Sequence, residues 1–225
     1  MSMVFPPLYA IIDADLLQGS ALSFAEAMAE SGVQLLQYRA KHASTREVCE
    51  TSQLLCARCA RFAQESVRGV RLIVNDRADI AALVSAGGVH VGQNDLAVEQ
   101  ARAIVGRETW VGVSTHTLQQ VEAAETTSAD YIAFGPVFPT TTKEQPDAVV
   151  GLELLSQARE RTRKPLVAIG GITLERAGET YRAGADSLAV VRDLLLARDP
   201  GAQARAFLGE AALAGRTASP GKGNV

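Results

Sequence analysis

Eight times along 225 residues a short apolar run is followed by a stretch with helical spacing, and this recurrence limits the fold more than any other feature. The apolar runs fall at residues 8–12, 33–39, 70–74, 88–92, 109–114, 130–135, 165–170 and 186–191. The spacing between them predicts helices over 23–31, 45–64, 77–85, 97–105, 118–126, 152–161, 174–183 and 193–213. Strands that are apolar without strict alternation suit a parallel sheet whose outer face is covered. A helix between successive strands supplies the crossover that parallel neighbours need. An open doubly wound sheet is the rival, but eight units and short loops favour closure into a barrel. The expected fold is therefore α/β, a single-domain (β/α)8 TIM barrel over residues 1–213. The polar stretch RTASPGKGNV leaves 214–225 as a disordered tail.

Composition narrows the function classes. With 47% hydrophobic and 21% charged residues the chain has a globular balance, and a net charge of −3 excludes a broadly basic nucleic-acid surface. An anionic ligand must then be held by local cations, backbone N–H groups or a metal. No apolar run is long enough to span a bilayer. The opening MSMVFPPLYAIID lacks a basic n-region, so no secretory signal is expected. Three cysteines, Cys49, Cys56 and Cys59, form an odd set, which points to a reducing, cytoplasmic compartment. Cys56 and Cys59 make a C-x-x-C inside a helical pattern, with no second pair to complete a zinc site. They are expected as structural thiols.

In such a barrel, functional side chains gather at the C-terminal ends of the strands. The second strand ends in Gln37, Tyr38, Arg39, Ala40 and Lys41. A period of two puts Gln37, Arg39 and Lys41 on one side. Cations aimed into a mouth need an anion, either a phosphate or neighbouring rim carboxylates. Asn75 and Asp76 end the third strand and Asp95 follows the fourth. Carboxylates on adjacent strand tips suit Mg²⁺, which takes few protein ligands alongside water and phosphate. The alternative for either aspartate is helix capping. Ser114 can donate to a phosphate, Thr117 can cap the next helix, and His116 is a candidate general base. His90, within the fourth strand, suits a local hydrogen bond at least as well as a chemical role. After the sixth strand, Pro136 and Pro139 stiffen a loop that continues into Thr140, Thr141, Thr142 and Lys143, an anion clamp or else a solvated loop. Gly170 and Gly171 after the seventh strand, with Val191 and Arg192 after the eighth, fall where barrels often hold phosphate on backbone N–H groups. Two anion grips imply two phosphorylated substrates, or one long substrate with two anionic ends.

Several of these segments occur together in one known family. YAIID at 9–13, QYRAK at 37–41, NDRADIA at 75–81, GVHVGQNDL at 88–96, STHT at 114–117, GPVFPTTTK at 135–143 and IGGI at 169–172 closely resemble the thiamine-phosphate synthases, also called thiamine-phosphate pyrophosphorylases. The resemblance runs from Tyr9 to about Arg192. It implies a transferase of thiamine biosynthesis. The enzyme would join 4-amino-2-methyl-5-(diphosphooxymethyl)pyrimidine to the nitrogen of 4-methyl-5-(2-phosphooxyethyl)thiazole and release diphosphate. The motif match places Gln37, Tyr38, Arg39, Ala40, Lys41, Asn75, Ser114 and Lys143 in the pyrimidine-diphosphate site, with Arg39, Lys41 and Lys143 stabilising the departing charge. It assigns Thr140, Thr141, Thr142, Gly170, Gly171, Val191 and Arg192 to the thiazole phosphate, and Asp76 and Asp95 to Mg²⁺. Tyr38 stands where the family usually has Leu, at a position that should face away from the ligand. Arg192 stands where the family often has Ser or Gly, so a side-chain hydroxyl contact is lost there and a guanidinium is offered in exchange. The resemblance implies two small phosphorylated partners and neither nucleic acid nor membrane, and it leaves a homo-oligomer open. The competing readings are a related thiazole tautomerase, which moves a proton and needs no diphosphate, and a phosphate-ligand sensor on the same barrel. The complete QYRAK with Asp76 and Asp95 argues against both.

Overall fold

The computed structural model describes residues 5–65, 69–140 and 147–216. Eight strands alternate with helices: β1 (Leu8–Asp13), α1 (Ala21–Glu30), β2 (Leu35–Arg39), α2 (Thr45–Glu65), β3 (Arg71–Asn75), α3 (Ala78–Leu83), β4 (Gly88–Val91), α4 (Val98–Val105), β5 (Trp110–Thr115), α5 (Leu118–Glu125), β6 (Tyr131–Phe134), α6 (Gly151–Arg161), β7 (Leu166–Ala168), α7 (Leu174–Arg182) and β8 (Ser187–Val190), followed by α8 (Arg192–Leu195) and α9 (Pro200–Leu213). All neighbours pair in parallel, and β8 returns to β1, with Tyr9 opposite Ala189, so the sheet is a closed barrel. The (β/α)8 expectation holds, and the open sheet is excluded.

Closure explains why the strands lack clean polar alternation: both faces are buried, against different partners. Leu8, Ala10 and Ile12 of β1 pack outward into the layer beneath the helices, with Leu36, Tyr38, Val74, Val89, Val111 and Ile132 of other strands. Tyr9 and Ile11 point inward to a separate cluster with Phe5, Leu35, Ile73, Tyr131, Ala133 and Val167, which fills the lumen. Phe5 closes the lower end, its ring 5.3 Å from Trp110 and 5.0 Å from Tyr131. The inward phase continues upward to Gln37, Asn75, His90 and Ser114. Strand phase therefore carries the polar residues to the mouth.

Three local departures follow from specific residues. The helix expected over 193–213 is two helices. The Asp199 side chain accepts from Ala202 N–H at 2.9 Å and caps α9, whose first residue is Pro200. A proline ring suits the first helical turn and disfavours helical backbone at the residue before it, so the chain breaks over 196–199. β7 stops at Ala168 because Gly170 and Gly171 adopt φ of 86° and 65°, outside the strand region. Arg216, expected within the tail, donates to Asp186 Oδ1 at 3.0 Å; residues 217–225 lie outside the described set. Thr117 caps α5 as expected, accepting from Gln120 N–H at 3.2 Å.

The three cysteines of α2 are free thiols, with Cys59 buried and Cys49 and Cys56 half-buried. Burial pushes the Cys56 thiol up to about 11; burial and the adjacent Cys56 push Cys59 up to about 12. Both stay protonated and unreactive near neutral pH, as packing residues should. Among the described residues no helix is long and apolar enough to cross a membrane.

Candidate active site

A cavity of about 940 Å³ opens at the C-terminal ends of the strands. Its floor is a buried polar chain laid across the lumen. Gln37 Nε2 donates to Tyr9 Oη at 2.6 Å, and Tyr9 Oη lies 2.9 Å from Tyr131 Oη. His90 Nδ1 is 3.0 Å from Tyr131 Oη and its Nε2 is 2.8 Å from Ser114 Oγ. Gln37, His90 and Ser114 are buried, and both tyrosines are fully so. Space for the Tyr131 ring comes from Gly112 on the neighbouring strand, where a Cβ would stand 2.0 Å from the Tyr131 Cζ. Burial raises both phenols well above the ordinary tyrosine range, so each keeps its proton.

One rim, over β1 to β4, carries charged side chains. Arg39 lines the cavity and pairs with Asp13, the residue opposite it in the β1–β2 register. Asp13 is 1% exposed, so this is a buried ion pair; nothing in the sequence reading singled it out. Lys41 pairs with Asp76. Each cation thus has a carboxylate partner, the alternative to a phosphate in the sequence reading. Asp76 sits at φ 61°, a left-handed conformation that aspartate tolerates better than most side chains. Burial raises its carboxyl pKa; Lys41 draws it down, and Asp95, within hydrogen-bonding reach, raises it again. Asp95 Oδ2 also accepts from Gly92 N–H at 2.7 Å. Neither aspartate caps a helix, since α3 begins behind Arg77 and α4 behind Ala97. Gln37, Asn75 and Ser114 line the cavity, whereas Lys41, Asp76 and Asp95 stand on the rim beyond its lining. Tyr38 is buried in the layer beneath the helices, and Ala40 packs against that layer.

The opposite rim, over β6 to β8, is framed by backbone. Val137 N–H donates to Ile169 O at 2.8 Å and Phe138 N–H to Gly170 O at 3.1 Å, so the two loops continue the sheet beyond β6 and β7. A Cβ on Gly170 would stand 2.3 Å from Pro136 Cβ, and one on Gly171 would stand 2.5 Å from Pro139 O. Only glycine admits this approach at positive φ. Thr140, Gly170, Gly171, Val191 and Arg192 line this end; Thr141, Thr142 and Lys143 lie outside the described residues. His116 is a strut between the loops: its Nδ1–H donates to Gly135 O at 2.6 Å, and its Nε2 is 3.4 Å from Asp147.

Comparison with known proteins identifies the family. The family model described as thiamine monophosphate synthase matches residues 8–194. The chain belongs to the thiamine monophosphate synthase family. It is 45% identical over 212 residues to the thiamine-phosphate synthase of Koribacter versatilis, covering 90% of this chain and 94% of that one. It is 44% identical to the thiamine-phosphate synthase of Chloroflexus aurantiacus, covering 88% and 89%. Its fold is similar to that of thiamine phosphate pyrophosphorylase from Pyrococcus furiosus, with a TM-score of 0.82 at 31% identity over 92% of this chain and 96% of that one.

This member of the thiamine monophosphate synthase family has more cations at the backbone rim than the sequence reading found. Arg176 and Arg198 line the cavity beside Arg192. Arg176 donates to Gly171 O at 2.7 Å and lies 4.5 Å over the Phe138 ring, bracing both loops. Its signal was available: it falls in the first turn of the helix that follows the Gly-Gly pair. Arg198 was hidden by the assumption of one unbroken terminal helix. For a metal, no group of three or more His, Cys, Asp or Glu is assembled among the described residues. Asp76 and Asp95 do offer two adjacent hard oxygen donors, which fits a cation that keeps water and phosphate as its other ligands.

Proposed function

We propose that this protein condenses the aminopyrimidine diphosphate and the thiazole phosphate into thiamine phosphate, with diphosphate as leaving group and Mg²⁺ on Asp76 and Asp95. The observation that carries the proposal is a single cavity with a charged, carboxylate-bearing rim at one end and a glycine-built backbone rim at the other. Membership of the family supports it. Gln37, Asn75 and Ser114 would hold the pyrimidine diphosphate from within the lining, with Arg39 and Lys41 meeting its charge. Backbone groups at Gly170, Gly171 and Val191, joined by Thr140 and Arg192, would hold the thiazole phosphate. Carried by family resemblance alone, Thr141 and Thr142 join the thiazole site and Lys143 reaches the leaving group.

The reaction breaks the bond between a primary carbon and a diphosphate oxygen and forms one to the thiazole nitrogen. The aminopyrimidine ring can delocalise positive charge at that carbon, so ionisation can precede attack. The protein's task is then to stabilise charge on the leaving group and align the two rings. Magnesium, when bound, neutralises diphosphate charge. Lys41 would be released from Asp76 toward the phosphate oxygens, while Arg39 stays anchored by Asp13 and keeps its remaining N–H donors for the ligand. No strong base is needed, in keeping with His116 being tied to Gly135. Three free thiols support a reducing, cytoplasmic setting.

The test is diphosphate release with product identification. Release should require both substrates and Mg²⁺ and should stop in excess EDTA, returning when Mg²⁺ is restored. Isomerisation of a thiazole phosphate without diphosphate release, or tight binding with no turnover, would overturn the proposal.

A further inference from the structure

Tyr9, Tyr131 and His90 take no part in the chemistry above, but they connect two residues that do. We infer that they form a polarised hydrogen-bond relay: as positioning residues they hold His90 in its Nε2–H tautomer, free the Ser114 hydroxyl proton to point into the cavity, and leave the Gln37 side-chain oxygen as an acceptor at the far end. The inference rests on the proposed function for the identity of the ligands, though not for the polarity itself.

The polarity follows from counting protons. Gln37 Nε2 donates to Tyr9 Oη at 2.6 Å, so Tyr9 must give its single proton to Tyr131, 2.9 Å away. Tyr131 then gives its single proton to His90 Nδ1 at 3.0 Å. A neutral imidazole that accepts at Nδ1 carries its proton on Nε2, which donates to Ser114 Oγ at 2.8 Å. Ser114 therefore keeps its own proton for a ligand. Burial keeps both phenols protonated, so neither can accept from both sides as a phenolate. Ring packing restricts the geometry: Tyr9 meets Tyr131 edge-on at 5.9 Å and 82°, and His90 stacks on Tyr131 at 5.5 Å and 26°. Gly112 opens the strand where the Tyr131 hydroxyl sits, since a Cβ there would be 2.4 Å from that oxygen.

The reverse polarity is self-consistent too, and comparing the two shows what the relay is for. Reversal turns the Gln37 oxygen toward Tyr9, puts the His90 proton on Nδ1, and directs the Ser114 proton to His90. Ser114 would then present lone pairs to the cavity, which repel an anion. The forward relay presents a donor at Ser114, suited to a diphosphate oxygen, and an acceptor at Gln37, suited to a ring amino group. One ligand carrying both groups matches both ends at once.

The tautomer can be read without substrates. In full-length protein labelled with ¹⁵N-histidine, long-range proton–nitrogen correlations distinguish the two tautomers, and a His90→Gln sample assigns the signal. His90 should be the Nε2–H tautomer alone. Tyr9→Phe keeps the ring but cuts the relay, and should give a mixture of tautomers. In the two-substrate assay it should lower turnover about fivefold, but less than about twofold when Ser114 is already Ala, because the relay acts through Ser114. An Nδ1–H tautomer in the wild-type protein, or an unchanged tautomer in Tyr9→Phe, overturns the inference. Should Tyr9→Phe fail to fold, Tyr131→Phe and the wild-type spectrum still decide it. An inactive protein with the Nε2–H tautomer would sink the proposed function and leave the relay standing; an active one with the Nδ1–H tautomer would do the opposite.

Discussion

The two rims of the cavity meet anions by opposite means. Over β1 to β4 the groups are charged side chains already engaged with one another: Arg39 with Asp13, Lys41 with Asp76. Over β6 to β8 the frame is main chain, held by loop-to-loop hydrogen bonds and by glycines whose Cβ positions are occupied by neighbours. Side-chain pairs can exchange partners, so they suit a group that arrives, gains charge and leaves. Rigid backbone donors cannot, so they suit a phosphate that is held but takes no part in the chemistry. The first rim should therefore govern turnover, and the second the affinity for one substrate.

The sharpest way to break this comparison is Asp76→Ala. It removes one of two hard donors and also the partner of Lys41. Loss of charge stabilisation at a leaving group is expected to lower kcat about 10²-fold or more, with Mg²⁺ activation weakened and the KM for the thiazole phosphate little changed. Titration of activity with Mg²⁺ checks it. Unchanged metal-dependent turnover in a folded variant would remove Asp76 from the assigned role.

Gly170→Ala probes the other rim. The added methyl would meet Pro136 Cβ at 2.3 Å and its Cα at 2.6 Å, at a φ of 86° that alanine rarely adopts. The strain should destabilise the fold by about 1–3 kcal/mol. Displacement of the loop should raise the KM for the thiazole phosphate about tenfold, with the Mg²⁺ dependence unaltered. Urea unfolding and two-substrate kinetics separate the two effects. A variant that instead loses Mg²⁺ activation would show that the rims are not independent.

How far the site was legible depends on which physical rule places each residue. Period-two phase alone puts Gln37, Arg39, Asn75, His90 and Ser114 on the inward side, so these could be read from any correct strand assignment. Gly170 and Gly171 were legible through their place after the seventh strand, since a Gly-Gly pair alone is weak evidence and its position in the barrel adds the weight. Asp13 was not, because its role as partner of Arg39 depends on the β1–β2 register, which local pattern does not specify. Tyr9 and Tyr131 look like any other core aromatic until the lumen is known to be a separate layer from the helix interface. The break before α9 was within reach: Asp199 followed by Pro200 is a cap and a first-turn proline, and the apolar periodicity running through it masked the signal. Missing that break also hid Arg198 from the cavity. The closed topology was the most legible feature, because it rests on eight repetitions rather than on any single residue.

The smallest expected effect tests whether the backbone rim acts alone. Arg192 begins α8 and lines the cavity with Gly170, Gly171 and Val191. A phosphate at this end would meet main-chain N–H groups whatever the side chain, so binding does not depend on the guanidinium alone. An exposed guanidinium still adds a charge-assisted contact. Solvent and salt screen it, and Arg176 and Arg198 line the same cavity. Arg192→Ser should therefore raise the KM for the thiazole phosphate only about fivefold and leave kcat unchanged, the pattern of a contact equally strong in ground and transition states. The increase should shrink at high salt. An unchanged KM would mean that main chain does all the holding and that Arg192 is a neutral replacement. A fall in kcat would mean that this rim also takes part in expelling the diphosphate, and the division of labour between the rims would have to be abandoned.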